Sequence, residues 1–315
     1  MKRAPLPGQQ RGAVALMFAM LIVALCTLYA VSLAWDTTLD VRRTTNLLWR
    51  EQAVQVALGA EQWVGVILSQ DQQDSQADHL GEIWAQQLPP LPVEGAGMSG
   101  DVSGGLVDLQ GRFNINNLLN AAGEIDEPTL EQFRRLLRAL GLEPQIAGAV
   151  ADWLDADTQP FFPDGAEDGE YTGRIPPYRS ANSPVSSASE IAAVIGVDAE
   201  SYRLLRPHVT ALPGRTSINV NTATPAVLMS LDENVTAADA ERLVAEREET
   251  GFADVTASFS TLVQPEVLNT LGESTNYFRL ESIVRIGTVR LTMYSLLQRG
   301  PQGDVTPILR TFGAE

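Results

Sequence analysis

Apolar and polar positions along this chain change period several times, and each change predicts a different kind of element. Ala13 to Trp35 contain no charged residue. As a helix rising about 1.5 Å per residue, that run is roughly 34 Å long, enough to cross a bilayer core of about 30 Å. The helical signal continues beyond it. Leu39, Leu47, Leu48, Val54, Leu58, Trp63, Val66 and Ile67 recur at helical intervals, and no proline occurs from Ala13 to Leu88. This pattern predicts one long helix, apolar all round in its first half and amphipathic in its second. Pro89, Pro90 and Pro92 end the region, Gly95 to Gly105 reads as a glycine-rich connection, and Leu106-Val107-Asp108-Leu109 reads as a short strand.

Residues 113–270 are helical segments between Asn-, Gly- and Pro-rich punctuation. Thr129–Leu140 and Ala147–Leu154 make one amphipathic pair, Thr224–Leu231 and Ala237–Glu249 another. Phe113-Asn114-Ile115-Asn116-Asn117 is echoed by Ile218-Asn219-Val220-Asn221-Thr222, which suggests two related units. Asparagines at this spacing suit turns and helix caps, where a short amide bonds free backbone N–H groups. Near the C-terminus the period becomes two. Phe278, Leu280, Ser282, Val284 and Ile286 alternate with Arg279, Glu281, Ile283 and Arg285, Gly287 interrupts, and Val289, Leu291 and Met293 resume up to Leu297. Gly300 to Asp304 is a turn, and Pro307–Phe312 adds a last short strand. The order predicts an α+β fold: a long helix packed on a small antiparallel sheet, with a large helical block of two helix-hairpin-like units inserted in it. The divisions are a leader over 1–12, a membrane helix over 13–35, a first sheet-bearing part over 36–112, the inserted α-domain over 113–275 and the closing sheet over 276–315.

Composition narrows the chemistry. The 315 residues carry a formal net charge of -17, and loss of Lys2, Arg3 and Arg11 with a leader would make the remainder more acidic still. Such a chain repels nucleic acid and anionic head groups and suits a cation or a basic partner. Helix-hairpin-helix modules that grip phosphates need flanking Lys or Arg, yet Ala237–Glu249 is rich in acids. The single cysteine, Cys26, lies in the apolar run, so the rest of the chain contains no disulfide. His79 and His208 are too far apart for a zinc pattern and sit in no recognisable nucleophile or base context.

The densest acidic stretch comprises Asp152, Asp155, Asp157, Asp164, Glu167, Asp168 and Glu170 among Pro160, Pro163, Gly165 and Gly169. Hard oxygen ligands on an irregular loop suit calcium, which accepts six to eight oxygens in flexible geometry. It is no EF-hand, because Pro160 stands at the glycine position and Ala166 at the place of the bidentate glutamate. Residue chemistry alone leaves three readings open: a calcium loop, a solvated acidic loop, and a weaker one, paired carboxylates of a membrane-tethered glycosidase.

A basic leader, Gly12 and then an apolar helix with no small-residue cleavage site behind it differs from a secretory signal. The opening Arg11-Gly12-Ala13-Val14-Ala15-Leu16, the exit Ser32-Leu33-Ala34-Trp35-Asp36 and Arg42-Arg43-Thr44 resemble the start of a type II secretion minor pseudopilin. Three further motifs are similar to the K component of that system: Gly111-Arg112-Phe113-Asn114-Ile115-Asn116-Asn117-Leu118, Asp152-Trp153-Leu154-Asp155-Ala156-Asp157 leading to Gly165-Ala166-Glu167-Asp168, and Ile218-Asn219-Val220-Asn221-Thr222-Ala223. The resemblance implies a prepilin peptidase cut between Gly12 and Ala13, methylation of the new amino terminus at Ala13, and a pilin-like fold with an inserted α-domain. It implies calcium at the acidic loop, with Asp155, Asp157, Asp164, Glu167, Asp168 and Glu170 as the candidate ligands. Its partners would be minor pseudopilins I and J, with H, the major pseudopilin G, the secretin and secreted substrates as further contacts. Most pilins carry glutamate at the fifth mature position, but here that position is Met17. An unpaired carboxylate in hydrocarbon is costly, so its absence suits a subunit with no neighbour beyond it. The resemblance therefore implies a non-enzymatic tip subunit in the inner membrane, its bulk in the periplasm. The competing account is a periplasmic binding protein held by an uncleaved signal anchor.

Overall fold

The computed structural model describes residues 7–95, 98–248 and 250–313. Leader residues 1–6, Ala96 and Gly97 of the expected connection, Glu249 at the end of an expected helix, and Ala314 and Glu315 lie outside the described residues. The chain opens with α1 (Pro7–Asp74), followed by β1 (Leu88–Gly95) and β2 (Met98–Asp108). The inserted block contains β3 (Phe113–Asn114), α2 (Glu127–Ala139), α3 (Ile146–Leu154), α4 (Asp168–Thr172), α5 (Ala199–Leu205) and β4 (Val209–Thr210). It continues with β5 (Ile218–Asn219), α6 (Pro225–Ser230), α7 (Ala237–Arg247), α8 (Val255–Phe259), α9 (Pro265–Leu268) and β6 (Leu271–Gly272). Strands β7 (Tyr277–Ile286), β8 (Val289–Arg299) and β9 (Val305–Phe312) close the chain. The main sheet runs β1-β2-β7-β8-β9, every neighbouring pair antiparallel.

The expected period-two segment forms β7 and β8, whose inward positions Phe278, Leu280, Val284, Ile286, Leu291, Met293 and Leu297 are buried. Against them lies a helical stripe of Ala53, Ala57, Glu61, Val64 and Leu68. This differs from the stripe expected from large residues. Val54, Leu58 and Ile67 flank the packed face, but Leu47, Leu48, Trp63 and Val66 are exposed. Alanines sit at the contact because a small side chain lets the helix axis approach the sheet. Glu61 interrupts the stripe and is held by Ser295 (2.6 Å) and by both Nε and Nη2 of Arg310 (2.8 and 2.7 Å). Burial raises its pKa, but those bonds outweigh burial and leave it below the ordinary carboxylate range.

Two further expectations are corrected. The helix ends at Asp74, well before Pro89, and the supposed connection over Gly95–Gly105 is a β-hairpin made by β1 and β2. Proline is tolerated in β1 because it is an edge strand that lacks a partner on one side. A Cβ on Gly100 or Gly104 would meet the carbonyls of Arg285 and Glu281 in β7, so glycine here marks close strand approach.

The sheet covers only the C-terminal part of α1. The turn after β7 reaches Asn46 through Thr288, while Arg299 at the far end of β8 meets Asp71. Residues 14–38 project without burial, and the apolar window has a mean hydropathy of 2.6. The inserted block leaves β2 after Asp108 and returns at Tyr277, at the end of the sheet remote from the apolar run. Its bulk therefore lies at one pole of the molecule and the membrane-length helix at the other.

Within the block the sequence echo is a structural repeat. Phe113–Asn114 pairs in parallel with Val209–Thr210, and Ile218–Asn219 pairs in parallel with Leu271–Gly272. Asn116 accepts from Val185 N–H (3.0 Å) and donates to the carbonyls of Val185 and Leu212 (both 2.9 Å). Asn221 does the same, accepting from Phe252 N–H (2.6 Å) and donating to Phe252 and Glu273 carbonyls (3.0 and 3.2 Å). These amides clamp a distant loop in each unit, a larger role than capping. Asn116→Ala leaves three buried main-chain groups without partners and Asn221→Ala leaves two, since the Glu273 carbonyl keeps the Asp78 N–H, and each should cost about 2–4 kcal/mol. Chemical denaturation of the full chain in detergent checks this, and the double variant should lose the sum of the two, because each clamp belongs to its own unit.

A candidate cation site in the inserted domain

Helix α3 is buried along its whole length, so its C-terminal end is fixed relative to the domain core. Asp155 follows its last turn, and the chain then doubles back over the helix. Two glycines permit the return. A Cβ on Gly148 would lie 2.8 Å from the Asp164 main chain, and one on Gly165 would overlap the Asp152 carboxylate and the Phe161 backbone. Asp152 is fully buried and secures the crossing by accepting from Phe161 N–H (3.0 Å). Trp153 packs edge-on against Tyr171 (5.2 Å) and Tyr178 (6.3 Å), bracing the base of the loop.

This path brings Asp155, Asp157 and Glu167 together, with one oxygen of each within 4.8 Å of the others. Asp155 is 7% exposed and Glu167 6%. One oxygen of Asp155 and both of Glu167 are buried without a hydrogen-bond partner, as is the amide oxygen of Asn182. Asn182 reaches the cluster from a left-handed backbone (φ 44°) and anchors itself by donating to the Asp157 carbonyl (2.7 Å). Burial, then the charges of Asp157, Asp152 and Glu167, push the Asp155 carboxyl up to about 7. Burial and the neighbouring Asp152 raise Glu167 as well. Asp157 is exposed and accepts from Gln159 N–H (2.7 Å), while the two buried carboxylates, short of partners and facing like charge, make a donor set for a hard cation.

The other sequence candidates are not brought into this group. Asp168 accepts from Ser180 N–H (3.0 Å) and lies 3.7 Å from Arg179. Glu170 is exposed in the first turn of α4, and Asp164 packs beside Gly148. Sequence reading missed Asn182, which carries no charge and lies beyond the acidic stretch. Neither histidine takes part: His79 lies against Gly251, and His208 Nδ1 shares a hydrogen bond with Thr224 (2.7 Å). A second carboxylate group among the described residues, Asp71, Asp78 and Glu82, surrounds the buried guanidinium of Arg299, which already supplies positive charge there.

A membrane-length helix that continues as the spine of a small antiparallel sheet defines a pilin-like subunit, here with a large α-domain inserted between two sheet strands. Residues 111–214 and 218–274 match two family models, both described as Type II secretion system (T2SS), protein K. The chain is 34% identical to the Type II secretion system protein K of Pseudomonas aeruginosa, across 95% of this chain and 92% of that protein. It is 32% identical to the same protein of Aeromonas hydrophila, across 97% and 98% of the two chains. Its fold matches a chain in the crystal structure of the GspK-GspI-GspJ complex from enterotoxigenic Escherichia coli, with a TM-score of 0.74 and 27% identity over 87% of this chain and 100% of that one. The chain belongs to the type II secretion system protein K family of minor pseudopilins.

The geometry sets opposite signs for the bare and the cation-bound loop. Asp155→Asn removes a charge that the bare loop holds against three others, so it should raise the metal-free melting temperature at pH 8 by a few degrees. The same change should abolish any stabilisation by added divalent cation. Thermal unfolding of wild type and variant, in chelator and in calcium, reads both signs.

Proposed function

We propose that this chain caps the distal end of a type II secretion pseudopilus, initiates its assembly with minor pseudopilins I and J, and binds calcium in the inserted domain. The reading is of a non-enzymatic assembly subunit, anchored in the inner membrane with its bulk in the periplasm. The observation that carries it is the polarity of the molecule. A projecting helix is left free at one pole, and the inserted block is attached at the other. In a helical assembly of pilin-like subunits, neighbours pack through such helices, and a bulky block at the far pole obstructs a subunit from stacking above. Met17, where most pilins present a glutamate to the subunit beyond, agrees with a terminal position. The relative in the GspK-GspI-GspJ complex supports I and J as the partners.

In this account prepilin peptidase cuts between Gly12 and Ala13, and the new amino group of Ala13 is methylated. Helix α1 then joins those of I and J in the membrane, and the trimer primes extraction of the major pseudopilin G, with H next in line. The inserted block leads toward the secretin or the secreted substrates. Calcium would be held by Asp155, Asp157 and Glu167 with the Asn182 amide oxygen, and would supply the charge compensation that the loop lacks. Asp164, Asp168 and Glu170 remain candidates only through a second ion or bridging water.

Deleting the chain should abolish both pseudopilus assembly and secretion, and a deletion strain that retains both overturns the tip assignment. Intact mass of the protein from membranes with prepilin peptidase should show loss of residues 1–12 and one added methyl group. An unprocessed terminus favours the anchored binding protein instead. For the metal, free calcium at a hundred times its dissociation constant stabilises by about 2.7 kcal/mol. That corresponds to a rise of roughly 5–10 °C in the melting temperature of a unit this size. Glu167→Gln should reduce the rise to near zero, measured in the same detergent.

A further inference from the structure

Arg299 is the last inward-facing residue of β8, and its side chain is almost wholly buried. The guanidinium joins three parts of the fold. Nη1 donates to the Leu68 carbonyl (3.4 Å) and to Asp71 (3.2 Å) on α1. Nη2 donates to Asp78 (2.5 Å), in the loop after α1, and to the Thr275 carbonyl (2.7 Å), where the inserted block returns to the sheet. Its planar face covers the ring of Phe278 at 5.1 Å. Asp78 extends the junction. It accepts from Thr275 N–H (2.7 Å), donates its own N–H to the Glu273 carbonyl (2.9 Å), and receives the Asn219 amide at its carbonyl (3.0 Å). The helix spine and the inserted block are therefore tied through one arginine and one aspartate.

The charge at this junction is unbalanced. Asp71, Asp78 and Glu82 present carboxylate oxygens within 4.8 Å of one another, against the single positive charge of Arg299. Of the surrounding ionisable groups, Glu82 accepts from His79 N–H (2.9 Å) and the Trp84 indole (2.7 Å), and Asp74 is engaged by Gln70. His79 turns its ring to Gly251, Glu273 contributes through its main chain, and Asp304 lies beside Gly300 in the turn after β8. No second cation faces the cluster among the described residues. Three carboxylates that close together cannot all ionise without mutual repulsion.

We propose that this cluster is a proton-dependent latch: a proton held on Asp71, facing the Asp78 and Glu82 carboxylates, closes the junction between the α1 spine and the inserted domain, and its loss loosens that junction. The proton leaves from the Asp71 carboxyl to solvent, and no other covalent bond changes. Asp71 is placed to carry it, since burial, then the charges of Glu82 and Asp78, push its carboxyl up to about 7 against the opposing pull of Arg299. The sign follows by linkage. A closed junction holds the proton more tightly than an open, hydrated one, so opening becomes easier as pH rises through about 7. With an ordinary carboxylate pKa in the open form, the opening equilibrium should rise on the order of tenfold between pH 6 and pH 8.

The test uses the full chain in detergent micelles with calcium held saturating, so that the acidic loop stays constant. Hydrogen exchange at the amides of Asp78 and Thr275 is measured from pH 5.5 to 8.5, corrected for the intrinsic pH dependence of exchange. The corrected rate should rise about tenfold between pH 6 and 8, while that of Val284 inside β7 stays level. Asp71→Asn should give a flat profile. Glu82→Gln, whose amide oxygen still accepts both N–H groups, should move the midpoint to lower pH, because one repelling charge is gone. A merely structural role for Glu82 would leave the midpoint in place. A flat wild-type profile, an unchanged profile in Asp71→Asn, or an unmoved midpoint in Glu82→Gln overturns the latch. Should Asp71→Asn fail to fold, the Glu82→Gln midpoint decides alone.

Discussion

The architecture depends on the pairing of Asp108 in β2 with Phe278 in β7. The two strands are hydrogen-bonded neighbours, so the chain leaves the sheet and re-enters it across one rung of the ladder. Topologically the whole inserted block is an overgrown hairpin connection. The entropy of closing a connection grows only logarithmically with its length, so a folded domain is accommodated there with little penalty to the sheet. What such an insertion needs is a firm seam. Asp108 itself supplies part of it, accepting from Gln110 N–H (2.7 Å), the Asn219 amide (2.9 Å) and the Thr222 hydroxyl. Burial raises its pKa and the surrounding donors oppose that rise, so the group is fixed by what bonds to it.

The same seam explains why polar residues in this protein are concentrated where its two parts meet. Helix α1 and the sheet bury apolar stripes against each other, and the block has its own apolar core around Phe113, Phe133, Leu154 and Phe259. Two apolar surfaces would slide; directional bonds do not. Gln110 reaches Ser217 and Asn276, Asn219 reaches Asp78, and Arg299 reaches Thr275, each linking one part to the other. Orientation of the block on its helix is therefore set by hydrogen-bond geometry, and that is also where a change of protonation can act.

Legibility from sequence followed how local each signal was. The alternation from Phe278 to Leu297 is a local pattern with one buried face, so strands and facing could both be read. The first hairpin could not, because Pro89, Pro90, Pro92 and the glycines of β2 carry turn propensity that only the edge position and the close strand approach override. The buried stripe of α1 was misread for a related reason. Leu47, Leu48, Trp63 and Val66 dominate any hydrophobicity count, yet the sheet selects Ala53 and Ala57, and single apolar residues left exposed on a helix are ordinary. In the acidic loop the stretch was visible, but only the crossing over Gly148 and Gly165 decides which carboxylates converge. Asn182 owes its place to tertiary structure, and no charge or spacing announced it.

Buried polarity has two different remedies in this molecule, and comparing them clarifies both. At the Asp71–Asp78–Glu82 cluster the compensating charge is covalently part of the chain, because Arg299 occupies the centre of the group. At Asp155, Asp157 and Glu167 nothing in the described chain does so, although the carboxylates are as close and two of them, Asp155 and Glu167, are buried. An arginine fixed in β8 ties the junction together from within the chain, with protonation left to adjust its tightness. The acidic loop has no such compensation, and burial together with the neighbouring carboxylates raises the pKa of Asp155 and of Glu167. The seam between spine and inserted block thus carries its own cation, while the acidic loop of that block leaves like charges facing one another.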